Sequence, residues 1–97
     1  MSEDDLSWLE VWFLNQTSGN WQHEFGIKIE TIDNPGWHVA IDLVDTPLNN
    51  KVFISVKADL SNADWMTCCV QEGKFEAFCG PMNLVQVLKV FRSWAQS

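Results

Sequence analysis

The chain contains no tyrosine, only six Lys and Arg, and no long apolar run in its 97 residues. Each shortage excludes something. A membrane-crossing helix needs about 20 consecutive apolar residues, so no such span fits. Binding along a nucleic-acid backbone needs clustered cations. Here thirteen Asp and Glu outnumber the cations, and the formal net charge is −7. Cysteine is sparse and oddly placed: Cys68, Cys69 and Cys79 are three in number, two of them adjacent, with no C-x-x-C spacing. A disulfide framework uses an even, spread-out set, so buried free thiols in a reducing compartment are expected. The opening Met1-Ser2-Glu3-Asp4-Asp5 is acidic where a secretory signal would be basic and then apolar, which predicts a cytoplasmic product.

What is present is ordinary in bulk and unusual in detail. At 46% hydrophobic and 20% charged, the composition fits one globular domain over residues 1–97. Six Trp and six Phe are many for this length. A chain of this size buries only about 65% of its unfolded surface, so large rings are needed to fill a small core. Trp12, Trp37 and Trp94 are assigned to that core, Trp8 to its edge, and Trp21 and Trp65 are left open between core and surface.

The periodicities predict α-β-β-β-β-β-α. Ser2 and Asp5 read as a capping pair, and Leu6, Leu9, Trp12 and Phe13 as the buried stripe of a first helix. From Trp21 the period changes to two, with Phe25, Ile27 and Ile29 against Glu24, Lys28 and Glu30. Asp33-Asn34-Pro35-Gly36 reads as a turn, because Pro fixes φ and Gly accepts positive φ. Trp37, Val39, Ile41 and Leu43 then complete a hairpin. Val52, Ile54 and Val56 predict a third strand, Met66, Cys68 and Val70 a fourth, and Phe75, Ala77 and Cys79 a fifth after a turn at Glu72-Gly73. Gly80-Pro81 opens a last helix, with Pro at or near its first position. That helix buries Leu84, Val87, Leu88, Phe91, Trp94 and Ala95, with Lys89 and Arg92 suiting the macrodipole. Short connections make this an α+β fold: a five-stranded antiparallel, meander-like sheet with both helices on one face. Strand parity puts Ile27, Ile41, Ile54, Cys68 and Ala77 toward the helices. The other face then carries Glu24, Lys28, Glu30, His38, Asp42, Phe53, Lys57, Trp65 and Phe78, a mixture of acids and rings suited to a partner.

Catalytic constellations are thin. His23 and His38 lie on different predicted strands, and Cys68 and Cys69 point to opposite faces, so no zinc-ligand spacing appears and no metal or cofactor is expected. Cys79, just before a helix N-terminus, is the one placement where a thiol pKa could fall. No cation accompanies it, which weakens a small Cys-dependent enzyme such as a sulfurtransferase. The carboxylates have no third group to set acid and base roles, and no phosphate loop or nucleophile elbow occurs. An acidic, aromatic-rich surface instead suits an inhibitor, since rings anchor interfaces and charge steers a basic partner.

The stretch from Trp21 through Gly26 to Asp33-Asn34-Pro35-Gly36-Trp37, followed by Asp42-Leu43 and Thr46, resembles the immunity protein 53 family of bacterial polymorphic toxin systems. Trp8-Leu9 with Trp12, Gly73 with Phe75, and Cys79-Gly80-Pro81 with Asn83-Leu84 fit the same pattern, so the resemblance covers nearly the whole chain. It departs at Asn20 and Gln22, where an acidic residue or a Glu is expected. The resemblance implies a non-enzymatic cytoplasmic antidote that binds a cognate toxin domain. Read with the charge, it suggests occlusion of a basic nuclease through Glu24, Glu30, Asp42 and Asp45, with Trp65 and Phe78 as apolar anchors. A DNA-mimic regulator would present the same acidic surface to a different protein. The motif Asp33, Asn34, Pro35, Gly36 and Trp37 shapes the hairpin or contacts the partner; both remain open at this level, as does oligomeric state.

Overall fold

The computed structural model describes residues 4–97. Its elements are α1 (Asp5–Asn15), α2 (Trp21–Glu24), β1 (Ile27–Ile32), β2 (Gly36–Asp42), β3 (Val56–Ser61), β4 (Asp64–Gln71), β5 (Lys74–Cys79) and α3 (Leu84–Gln96). The expected α+β architecture is present, an all-antiparallel five-stranded sheet with an N-terminal and a C-terminal helix. The strand order is β1-β2-β5-β4-β3. Thus β3, β4 and β5 form a meander, while β2 pairs with β5 in the centre rather than with its successor. The connection from β2 to the far edge is pinned by Leu43 and Leu48, both buried. Within it the Thr46 hydroxyl donates to the Leu43 carbonyl at 2.7 Å and accepts the Leu48 N–H at 3.1 Å.

Several local expectations shift. Ser2 lies outside the described residues, and the cap of α1 is Asp4, whose carboxylate accepts the Ser7 N–H at 2.7 Å. The buried stripe of α1 is Asp5, Leu9 and Trp12; Leu6 and Phe13 are exposed. The stripe moves because Asp5 faces α3, where Lys89 and Arg92 reach it at 2.8 and 3.4 Å. Those cations therefore bridge the helices rather than sit in the last turn of α3. Residues 21–24 form the short α2, not the start of a strand, since Trp21 is buried and its indole N–H donates to the Val44 carbonyl at 2.9 Å.

The apolar alternation at Val52 and Ile54 does not make a strand; both are 83% exposed. The backbone there is held instead by the end of α3: the Trp94 indole donates to the Val52 carbonyl at 2.8 Å, and Lys51 Nζ to the Trp94 and Ser97 carbonyls. Phe53 consequently packs on Phe75 and Trp94 on the helix side, not on the open face. Pro81 precedes α3 by a short turn, and Asn83 holds the cap position. The predicted apolar side of α3 is the one that packs: Val87, Leu88, Phe91 and Trp94 are buried. Phe91 is the hub of the core, with ring centroids 5.1–6.1 Å from Phe75, Trp12, Trp8 and Trp94.

Turn chemistry also sorts itself out. Glu72 and Gly73 have φ of 53° and 73°, the two positive values that a type I′ hairpin turn needs. Gly36 is different: it is buried in β2, and a Cβ there would run into the Cys79 carbonyl and meet the Trp65 ring at 3.3 Å. Its value is close approach, not positive φ. The turn before it contains a cis Asn34–Pro35 peptide.

Candidate functional site

The pairing register defines the face of the sheet away from the helices. Directly opposite residues share a face, so Lys28, Ala40, Glu76 and Cys69 form one row and Glu30, His38, Phe78, Thr67 and Lys57 the next. Asp42 with Lys74 lies at one end, and Trp65 with Asp59 at the other. The sequence placed Lys28, Glu30, His38, Asp42, Lys57, Trp65 and Phe78 together, and the register does the same. Glu24 sits outside the sheet on α2, and Phe53 lies on the other side.

The centre of this face is a paired network. His38 Nδ1 meets Glu30 Oε2 at 2.8 Å and Nε2 meets Glu76 Oε2 at 3.0 Å. A neutral imidazole donates through one nitrogen only, whereas the cation satisfies both carboxylates. The hydrogen bond from His38 holds the Glu30 carboxyl below its usual range, with the Lys28 ammonium helping from 3.6 Å. Phe78 stacks on the His38 ring at 4.5 Å and 12°, yet stays 39% exposed. Asp42 is a fastener: its carboxylate accepts the Gly26 N–H at 2.9 Å and Lys74 Nζ at 2.7 Å. That bond and the Asp42 charge push the Lys74 ammonium pKa up.

The charge excess is therefore not spread over the face. Glu30 and Asp42 are matched by neighbouring cations, and unpaired acid gathers at the two ends. At one end Glu24 and Asp45 line a shallow 290 Å³ depression with Trp21, Phe25 and Gly19 that no cation lines, and Glu24 also borders a second depression shared with Lys28, Asp42 and Lys74. At the other, Trp65, Pro35 and Pro81 wall a 470 Å³ cleft, with Asp59, Asn34 and Asn62 among its polar lining and again no Lys or Arg. Glu24 and Asp45 thus lie apart from Trp65, with Phe78 between the two ends.

The sequence model of the immunity protein 53 family matches residues 6–96. The chain belongs to the immunity protein 53 family. No curated protein and no solved structure matches it. Membership points to an immunity protein.

In this family member the Asp33–Trp37 motif has visible structural work. Gly36 admits the Trp65 ring, the Trp37 indole donates to the Pro81 carbonyl at 3.0 Å, and Asn34 and Pro35 line the cleft. Asn83 is the residue that sequence reasoning passed over as a contributor to this end. It is buried, and its amide donates to Asp64 at 3.0 Å and Gln86 at 2.6 Å while its carbonyl accepts the Trp65 N–H at 3.4 Å. A buried Asn beside Gly80, whose own Cβ would strike Asn83 and Ala63, ties the β4 start to the α3 start. The Pro81-x-Asn83 spacing before an apolar helix was the available signal.

The thiols are placed against nucleophilic use. Cys79 is fully buried and burial raises its pKa, while burial pushes Cys68 up to about 12. A thiolate is the reactive form, so neither suits attack at neutral pH. Among the described residues, no group of three or more His, Cys, Asp or Glu is arranged to hold a metal ion, and no helix is long and apolar enough to cross a membrane.

Proposed function

We propose that this chain neutralises a cognate protein toxin by covering it with the helix-free face of the sheet, acting by occlusion and not by catalysis. Membership of the immunity protein 53 family over residues 6–96 carries the reading. The uncovered face supports it with the ingredients of an interface: exposed Phe78 and half-buried Trp65 as anchors, and a polar rim. Trp65, Phe78 and the acids Glu24, Asp45, Glu30 and Asp42 are the proposed contacts. A standard interface takes about 800 Å² from each partner, roughly one eighth of the 6206 Å² surface here. The remainder is scaffold.

The toxin we infer is basic, with a nuclease as the favoured class, because the chain carries a net charge of −7 and its acids at Glu24, Asp45 and Asp59 are left without ion-pair partners of their own among the described residues. Steering by such acids is screened within about 8 Å at 0.15 M salt. Production of the chain together with its cognate toxin should rescue growth, and association with purified toxin should slow as salt rises. An association rate independent of ionic strength would remove the electrostatic part. Growth arrest despite full production of the chain would remove the whole.

A further inference from the structure

The sheet has two edges and they differ. β3 carries a register shift between Asp59 and Ser61, the kind of irregularity that blocks further pairing. β1 is regular along its whole length and contains no proline. Asp42 donates its N–H to the Gly26 carbonyl, which fixes the alternation of the β1–β2 ladder. Lys28 and Glu30 turn their backbone groups toward β2, so Ile27, Ile29 and Thr31 turn theirs outward. Beside that edge on the helix side lies a groove of about 730 Å³, walled by Leu6, Ile29, Leu84, Val85 and Leu88. Leu6 and Val85 are each more than half exposed.

We propose that β1 pairs antiparallel with β1 of a second copy of this chain, about a two-fold axis through Ile29, joining two sheets into one. The charge pattern of the strand selects this occupant and this register. With Ile29 opposite its own copy, Ile27 lies opposite Thr31, and all outward backbone groups find partners. Lys28 of each copy then faces Glu30 of the other, at the close spacing of non-hydrogen-bonded pairs. The two neighbouring registers allowed by the same alternation place Lys28 against Lys28 or Glu30 against Glu30. The axis is perpendicular to the sheet, so both Ile29 side chains meet on the helix side and cover the exposed parts of the two grooves. Both helix-free faces point the same way and stay open. The interface is isologous and closed; it shares Glu30 with the toxin contact proposed above and leaves Trp65 and Phe78 uncovered.

Sedimentation equilibrium of the full chain at 0.15 M salt, which screens the net charge, tests this. The wild type should show a concentration-dependent dimer. Lys28→Glu should raise its dissociation constant about tenfold or more, since two attractive cross-strand pairs become repulsive. Lys28→Glu with Glu30→Lys restores opposite charges in the same register and should recover the dimer. Thr31→Pro provides a second variant that spares the β1–β2 hydrogen bonds and removes only an outward donor; it should also give monomer, with unchanged circular dichroism. A wild type that stays monomeric at every concentration overturns the proposal, as does a dimer indifferent to Lys28→Glu and Thr31→Pro. Monomers whose β1 amides gain hydrogen-exchange protection only when toxin is added would assign the edge to the toxin and likewise overturn it.

Discussion

Phe91 and Phe78 are the same residue type on opposite sides of one sheet, and truncating each to Ala separates scaffold from surface. Phe91 is fully buried and its ring touches Phe75, Trp12, Trp8 and Trp94. Removing a buried Phe loses its transfer free energy and leaves a cavity, together about 3–5 kcal/mol. A domain of this length is stabilised by roughly 5–15 kcal/mol, so Phe91→Ala removes a large fraction and lowers Tm by about 12 °C or more. Phe78 is 39% exposed and stacks on His38 at the surface of the sheet. Full burial of a Phe is worth about 1.5–3 kcal/mol, so the partly covered ring of Phe78 contributes about 1–2 kcal/mol. Urea unfolding followed by tryptophan fluorescence measures both, with equal m-values as the condition for comparison. Equal losses for the two variants would refute the assignment of Phe91 to the core hub and Phe78 to the surface.

Other consequences are independent of that pair. Gly36→Ala should cost about 1–3 kcal/mol in thermal unfolding, because the new methyl group meets the Cys79 carbonyl and the Trp65 ring. Native thiol titration should modify Cys69 quickly, while buried Cys68 and Cys79 react only on unfolding; fast modification of two or more thiols would contradict this. Stability should fall in acid: Asp5 and Glu30 have carboxyl pKa values held below their ordinary 3.8 and 4.5, Asp5 chiefly by the Lys89 hydrogen bond and Glu30 by that of His38. A lowered folded-state pKa gives stabilisation that is complete above the unfolded value and disappears as pH drops through the folded one. Asp5→Asn should therefore flatten the decline of the urea midpoint as pH falls below the ordinary Asp value of 3.8, and an unchanged slope would count against the bridge between the helices.

Elements with strong periodicity were legible from the residues. The face of α3, the β1–β2 hairpin and the strands around Cys68 and Ala77 follow their apolar spacing, because packing against one core rewards that spacing. Elements decided by single tertiary bonds were not. Nothing local distinguishes Val52 and Ile54 from strand residues; the Trp94 indole and Lys51 ammonium take that backbone for the end of α3. The period of two that begins at Trp21 predicts a strand, whereas the buried Trp21, its indole bonded to the Val44 carbonyl, opens a turn of helix. The pairing of β2 with β5 depends on a long connection, and short-range patterns carry no information about it. On the open face, parity grouped the right residues but not their partners. The bonds of His38 to Glu76 and of Asp42 to Lys74 cross strands distant in sequence, and they tie the charge in the middle of the face into pairs.

The central claim is that the helix-free face binds the toxin, and calorimetric titration of purified toxin tests it most directly. Trp65→Ala and Phe78→Ala, each verified as folded, should weaken binding by roughly 30-fold or more if they are interface anchors worth about 2 kcal/mol or more apiece. Leu14→Ala, an exposed apolar change on α1, should leave the affinity unaltered. Wild-type affinity in both ring variants, or a loss confined to the α1 variant, would place the toxin on another surface and contradict the account.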